Sequence, residues 1–600
     1  MKKNLYVLLT ATALIAATSC TEDGIFGGGT VKATITEEYI DGSNALYWGE
    51  GATFGLFDSS SANEKFSISS GQTSRNGKFS SDDEGNNGST ISGTVAVYPY
   101  YEGATVAYSD GEATIRTQVP STITFTKAGY FDAGACPLVA VSTEKKDKNL
   151  SFVAPLGGVS VKLTGETVIT RVEITANGGE IINGEMTVEA DKDGVKSVEM
   201  TGGSSTTVID CGEGIQLTQV AKDFVVFLPY GTYEEGFSIK VVAKDGALNF
   251  IEVAGPKKIT KARVLNISRQ QFVVYSDLNE GSDERANCYM VTAAGGWYFD
   301  ATVKGNGSKG IHSTFKDQNA TIAPAGAKLL WEEVTGLITG VSYDNGKIYF
   351  ACSGKDGNAV VAATDAEGNV LWSWNIWSTA QPGEITLGNW TFMDRNLGAK
   401  SADDHGLYFQ WGRKDPFSSI LAFDSGKGEG KYHPVAGGPN DNENVKNTVE
   451  YSVAHPDTYI ATSSRNNDWL LEAPQRYLWG INFEADGLVD YAPLKTIYDP
   501  CPAGYTVSTA NALAAGLSAG AENKGSYITL FGGQLKVPAC GFIYAGGYGW
   551  YGQDSFCGLW TSSTSWGNAE NAFRLRGTDD ARDNYDRATG HPVRCIRTAQ

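Results

Sequence analysis

"GLYFQWGRKDPF", Gly406 to Phe417, sets four aromatic rings and three charges into twelve residues. Such a run is either an exposed platform or part of a core, and burial is the common fate of dense aromatics because each ring removed from water stabilises by about 2 kcal/mol. On that ground Tyr408, Phe409 and Trp411 are assigned to a core, with Arg413 and Asp415 as a local ion pair or turn anchor. The C-terminal third then reads as a packed, irregular domain.

Working outward, twelve of the thirteen tryptophans follow Gly296, and only Trp48 precedes it. In "LWSWNIW", Leu371 to Trp377, a strand period puts Trp372, Trp374 and Ile376 on one face and Trp377 on the other. Tryptophans at alternate strand positions serve as core or as binding surface, and core is the simpler reading. Upstream of Arg269 the chain runs in short alternating segments such as "ATFGLF", "STITFT", "GVSVKLTG" and "FSIKVVAKDG", divided by Gly, Asn, Asp and Ser. These are strands with turn chemistry between them. "VAVYPY" (Val95 to Tyr100) and "VVFLPY" (Val225 to Tyr230) both stop an apolar run at Pro-Tyr, an internal echo that suggests two related sandwiches.

Composition agrees. Charged residues are only 19% while glycines number 72 and tyrosines 28, which favours strands and turns over long charged helices. Six hundred residues exceed one core, so several domains are expected. The formal charge of −20 disfavours nucleic acid and anionic bilayers as partners and fits a neutral or cationic one, such as a glycan.

At the N-terminus Lys2 and Lys3 precede an apolar run from Leu5 to Ala17, the length of a signal-peptide core rather than a membrane span. The run ends "ATSC", which resembles a bacterial lipobox with Ala17 where the strict pattern has Leu. That resemblance implies that Cys20 is acylated and remains as the outer-membrane, palmitate-bearing anchor. An ordinary signal peptide cut near Ser19 is the other reading. Eight further cysteines include no C-x-x-C pair, and with five histidines in the chain a zinc site is not expected.

"WGEGATFGLFD", "VAVYPYY" and "VLNISRQ" resemble the fimbrillin family of Bacteroidetes pilus lipoproteins over residues 30 to 270. The resemblance implies two β-sandwich domains, and stalk subunits as partners through strand donation. One departure is that no arginine lies between Cys20 and Arg75, where the family's maturation cut would free a first strand. From residue 380 onward, "NWTFMDRNLGA", "GLYFQWGRKDPF", "YDPCPAGYTV", "GLWTSSTSW" and "HPVRCIRTAQ" resemble the Fibrobacter succinogenes major paralogous domain. A mixed α+β fold related to C-type lectins is implied.

The expected organisation is therefore mostly β. It comprises a signal peptide (1–19), a lipidated tether (20–45), two fimbrillin-like sandwiches (46–150 and 151–270), a linker (271–286), a small β-domain (287–379) and the lectin-like module (380–600). Within that module, placement in two of its motifs predicts that Cys501 pairs with Cys595, and Cys540 is paired with Cys557 around "GFIYAGGYGWYGQDSF". That glycine-spaced loop is the binding candidate: its glycines leave Tyr544, Tyr548, Trp550 and Tyr551 with little side-chain cover, and Tyr548, Trp550 and Tyr551 are the rings on which a sugar stacks; a buried aromatic hairpin is the alternative. Asp579 and Asp580 in "RGTDDARDNYDRATG" are candidate ligand carboxylates. Calcium would be their only cofactor, and a self-paired, solvated loop is the plainer reading. There is no G-x-S-x-G, H-E-x-x-H or P-loop. A glycosidase needs only two placed carboxylates, which spacing does not exclude. The reading reached is a lipid-anchored surface protein acting as a pilus-tip-like adhesin; the alternatives are a glycan-capturing lipoprotein outside any pilus, and a carbohydrate-active enzyme.

Overall fold

The computed structural model describes residues 29–36, 45–82, 91–125, 130–132, 136–307, 320–423, 432–437, 448–462, 468–470, 478–479, 495–546, 549–564 and 571–598. Cys20 and the residues before it, on which the signal-peptide and acylation expectations rest, lie outside them, as does Tyr548. The molecule is almost entirely β, and the described residues include the helices Val449–Ala454 and Ala510–Ser518. No helix among the described residues is long and apolar enough to cross a membrane. The chain divides into two compact units, Met1–Ile239 with Val253–Gln270, and Lys240–Glu252 with Gln271–Gln600.

In the first unit a seven-stranded sheet places Thr30–Ile35 between Asn76–Ser81, which it meets antiparallel, and Asn149–Phe152, which it meets parallel. Val31, Ala33 and Ile35 alternate into the core, so the strand is held by both its edges and by one face. Trp48 fills the centre, with the rings of Phe79, Tyr98 and Phe152 around it at 5.0, 5.1 and 5.3 Å. The two Pro-Tyr signals read as expected: the strands Thr94–Tyr98 and Lys222–Leu228 stop just before Pro99 and Pro229, where the ladder N–H is missing. A second sheet crosses the expected boundary near Leu150, because Glu112–Val119 pairs with Asn183–Asp191.

The second unit is built round tryptophan. Trp372, Trp374 and Trp377 from the strand Val370–Ser378 are all buried, on both of its faces. They share one hydrophobic cluster with Trp411, Trp469, Trp479 and Trp560 and with the half-cystines Cys501 and Cys595. Asn287 stitches the two stretches on either side of residue 380: its amide donates to the carbonyls of Ile497 and Asp499 at 2.7 and 2.9 Å, and its oxygen accepts from the Trp372 indole at 2.9 Å. Residues 287–379 and 380–598 thus contribute to one core.

"GLYFQWGRKDPF" lies at the centre of that core, as its aromatics imply. Tyr408, Phe409, Trp411 and Phe417 are at most 1% exposed. The carbonyls of Phe409, Trp411 and Arg413 accept the indole N–H groups of Trp560, Trp469 and Trp479 at 2.9, 2.8 and 3.1 Å. Three indoles therefore satisfy carbonyls of the strand Tyr408–Gln410, which pairs with Gly590–Pro592, and of the turn after it, as burial of these groups requires. The expected Arg413–Asp415 ion pair does not form. Asp415 is paired with Lys414 and accepts from Ser373 Oγ at 2.6 Å, whereas Arg413 donates to Gln410 Oε1 and to the carbonyl of Thr458, both at 2.8 Å. Residues 411–416 are turn and bend rather than strand, with Gly412 at φ +89°, so strand alternation does not hold the two side chains on one side and each meets a different partner.

Candidate functional site

The loop "GFIYAGGYGWYGQDSF" folds back as a short hairpin, Phe542–Ile543 against Trp550–Tyr551, with Phe542 opposite Tyr551 and Ile543 opposite Trp550. Gly541 begins it with φ +66°, and a Cβ there would lie 2.2 Å from the carbonyl oxygen of Tyr551, so only glycine lets the two strands meet. Alternation then sends neighbouring rings to opposite sides. Trp550 turns inward and is partly buried against Tyr408. Tyr551 turns outward and is 52% exposed, beside Tyr544 at 43%.

Those two tyrosines form a pair, with ring centroids 5.6 Å apart at 60°. Phe542, nearly fully buried, supports both, at 5.5 Å from Tyr544 and 5.1 Å from Tyr551. Phe542 in turn packs near Phe556, Tyr585 and His591 at 5.7, 5.7 and 5.2 Å. Arg574 closes the underside: its guanidinium lies 3.2 Å from the centroid of the Tyr585 ring, and its Nε donates to Asp583 Oδ2 at 2.7 Å. Burial, followed by the Arg574 charge, holds His591 far below the ordinary imidazole range, so it is a neutral part of the apolar floor. The arrangement is a rigid two-ring surface on an aromatic base, suited to stacking rather than to proton transfer.

Of the rings expected to stack a sugar, Tyr551 is exposed and Trp550 is partly buried. The two are not equivalent, because adjacent positions in a strand face opposite sides. Tyr544 belongs to the same glycine-spaced set of rings, whereas the sequence reading did not see Phe542, Arg574 and Tyr585 beneath it.

Cys501 and Cys595 are joined across 94 residues, with Cα atoms 6.0 Å apart. Cys540 and Cys557 are both free and buried, which overturns the expected second disulfide. Each sulfur is turned elsewhere: Cys540 Sγ lies 3.3 Å from both the Pro538 carbonyl and Asn396 Nδ2, and Cys557 Sγ 3.6 Å from the Val537 carbonyl. The neck of the loop is closed by main-chain bonds instead, Gly541 N–H to Phe556 O at 2.8 Å and Asp554 N–H to Ala539 O at 2.7 Å.

Asp579 and Asp580 sit at the tip of the next hairpin, between Asn571–Arg576 and Asp580–Asp586. Asp579 lies 3.4 Å from Arg576 Nη2, and Asp580 accepts the Arg582 backbone N–H at 2.8 Å. Among the described residues no three His, Cys, Asp or Glu side chains gather as a metal site.

No protein-family model matches this chain. No curated protein matches it either. Among solved structures, a protein assigned to cell adhesion from Bacteroides uniformis is similar over 40% of this chain and 93% of its own, with 17% identity and a TM-score of 0.24. A fimbrial protein from Bacteroides ovatus is similar over 40% of this chain and 48% of its own, with 13% identity and a TM-score of 0.20. The tip fimbrial protein of Porphyromonas gingivalis, with a C-terminal truncation, is similar over 38% of this chain and 82% of its own, with 8% identity and a TM-score of 0.18.

Proposed function

We propose that this chain is a cell-surface adhesin, held to the outer membrane through acylated Cys20, that binds a glycan on the paired rings of Tyr544 and Tyr551. The observation that carries the reading is the pair itself: two neighbouring exposed tyrosines on a buried phenylalanine, in a chain whose other exposed large apolar side chains among the described residues stand singly at Ile181, Val220, Val274 and Ile420. A tyrosine face offers an apolar surface to sugar C–H groups and a hydroxyl to their oxygens, and a preformed platform spends little entropy on binding. Asp579 and Asp580, at the turn of the next hairpin along the chain, are further candidate ligand carboxylates. One stacked sugar contributes on the order of 1 kcal/mol, so single-site affinity is weak and rises with the display of many copies.

A place at the end of a fibre is part of this reading, and the enclosure of the strand Cys595–Arg597 supports it. Cys595–Arg597 pairs with Trp390–Met393 on one side and Tyr505–Val507 on the other, and its first residue is disulfide-bonded. A strand so enclosed cannot be donated to a neighbour without unfolding the module. The N-terminal strand is retained on this reading, because a cut after Arg75 would remove Ala45–Tyr47, Thr53–Phe57 and Glu64–Ser70 along with Thr30–Ile35.

The test is a glycan array probed with the full mature chain and with Tyr544→Ala and Tyr551→Ala. Binding of the native chain to at least one arrayed glycan that both substitutions abolish is expected. If every glycan bound by the native chain is still bound by both variants the platform is rejected, and an array with no bound glycan rejects the glycan reading.

A further inference from the structure

The first unit carries an open hollow of about 380 Å³ over the outer face of the sheet formed by Gly194–Ser204, Asn183–Asp191, Glu112–Val119 and Thr105–Ser109. Its size lies at the small end of ligand pockets, room for roughly a dozen waters or a sugar of one or two rings. One continuous row crosses its floor, since Thr105 pairs with Arg116 and Arg116 with Thr187. Glu185, two residues from Thr187 and hence on the same face, stands beside that row. Thr201 enters from the edge strand at a bulge, where the pairing steps from Gly202 to Met200 and leaves Thr201 unmatched. Bulges of this kind re-aim a side chain and recur beside binding sites.

The lining is polar and unspent. Among the described residues, none of the side chains of Thr105, Arg116, Glu185, Thr187 and Thr201 has a hydrogen bond or an ion pair. Thr117 and Met186 also border the hollow, but as strand neighbours of Arg116 and Thr187 they turn to the buried side of the sheet. The Tyr101 ring forms one wall, close against Gly103, where an added Cβ would come within 2.8 Å of it. The hollow therefore offers a guanidinium fork, a carboxylate, several hydroxyls and one aromatic surface, with formal charges that cancel.

We infer that this hollow is a second binding site, for a neutral sugar of one or two rings. Vicinal hydroxyls accept from the Arg116 fork while donating to Glu185, and the threonine hydroxyls serve either role. A simple anion would meet Glu185 and a simple cation Arg116, each a like charge. The site stands apart from the tyrosine pair and rests on different residues.

The experiment uses the full mature chain carrying Tyr544→Ala and Tyr551→Ala, so that the C-terminal platform contributes nothing. Glucose, galactose, mannose, N-acetylglucosamine and cellobiose are titrated singly to millimolar concentration, with saturation-transfer NMR as the readout. Binding of at least one is expected. Arg116→Ala and Glu185→Ala should each weaken it about tenfold or more, the loss of charge-assisted hydrogen bonds, while Glu185→Gln, which keeps an acceptor, should stay within about threefold. Both positions are on the surface, and unchanged thermal melting verifies that the fold is intact. The inference is overturned if no sugar binds, if binding ignores Arg116→Ala and Glu185→Ala, or if glycine, a zwitterion that would pair both charges, binds where the sugars do not.

Discussion

The indole of Trp550 meets the ring of Tyr408 edge-on, with centroids 4.5 Å apart and planes at 62°. The tip of the candidate binding loop is thereby fastened to the aromatic core of "GLYFQWGRKDPF". Trp550→Ala should destabilise the second unit by about 2 kcal/mol, less than a fully buried tryptophan because the ring is only partly covered. Urea unfolding followed by fluorescence measures this. A change under about 0.5 kcal/mol would mean that the ring is surface, as the glycine-rich sequence around it implies.

Arg413 is the second test of that core. It is 2% exposed, and burial brings its guanidinium pKa down to about 10, yet it remains charged and clamps Gln410 Oε1 and the Thr458 carbonyl. Arg413→Met strands these acceptors and should cost about 3 kcal/mol or more. Arg413→Lys should not rescue stability, since one ammonium cannot span the fork's positions. Full rescue by lysine in thermal denaturation would show that charge alone matters there.

The disulfide closes a loop of 94 residues, for which chain entropy gives about 4.7 kcal/mol. Reductant should lower the unfolding midpoint of the second unit accordingly. Non-reducing peptide maps should show Cys501 linked to Cys595, with Cys540 and Cys557 alkylated only after denaturation, because burial raises both thiols, Cys557 to about 11. Rapid alkylation in the native state would contradict their buried placement.

Acid should destabilise the protein through His433. The Ser418 N–H donates to its Nε2 at 3.0 Å and its Nδ1 faces the Asp457 carbonyl at 3.2 Å, a setting only the neutral ring satisfies. Burial accordingly lowers its pKa to about 4. Unfolded, the ring titrates near 6.5 and so binds more protons between pH 6.5 and 4, which makes stability fall as pH drops through that window, by on the order of 3 kcal/mol in total. His433→Gln should flatten this part of the stability–pH profile. An unaltered profile would assign the acid sensitivity to other groups.

Much of this was open to reading in the sequence because it depends on local periodicity. Alternation gave the strands, Pro99 and Pro229 their ends, and the density of rings in "GLYFQWGRKDPF" its burial, since these follow from backbone geometry and from the apolar area each residue carries. The pairing of Glu112–Val119 with Asn183–Asp191 was not legible, because strand order depends on contacts between residues remote in the chain.

Tertiary structure alone decided which groups meet. Arg413 and Asp415 are two residues apart, yet one finds Gln410 and Thr458 and the other Lys414 and Ser373. Cys540 and Cys557 bracket a loop whose closure falls to main-chain hydrogen bonds. Tyr544 and Tyr551 become one surface through a hairpin register that glycine at 541 permits. Sequence spacing sets which side of an element a residue faces; what stands there depends on how distant segments pack, and a side chain's charge and hydrogen-bonding partners follow from that packing.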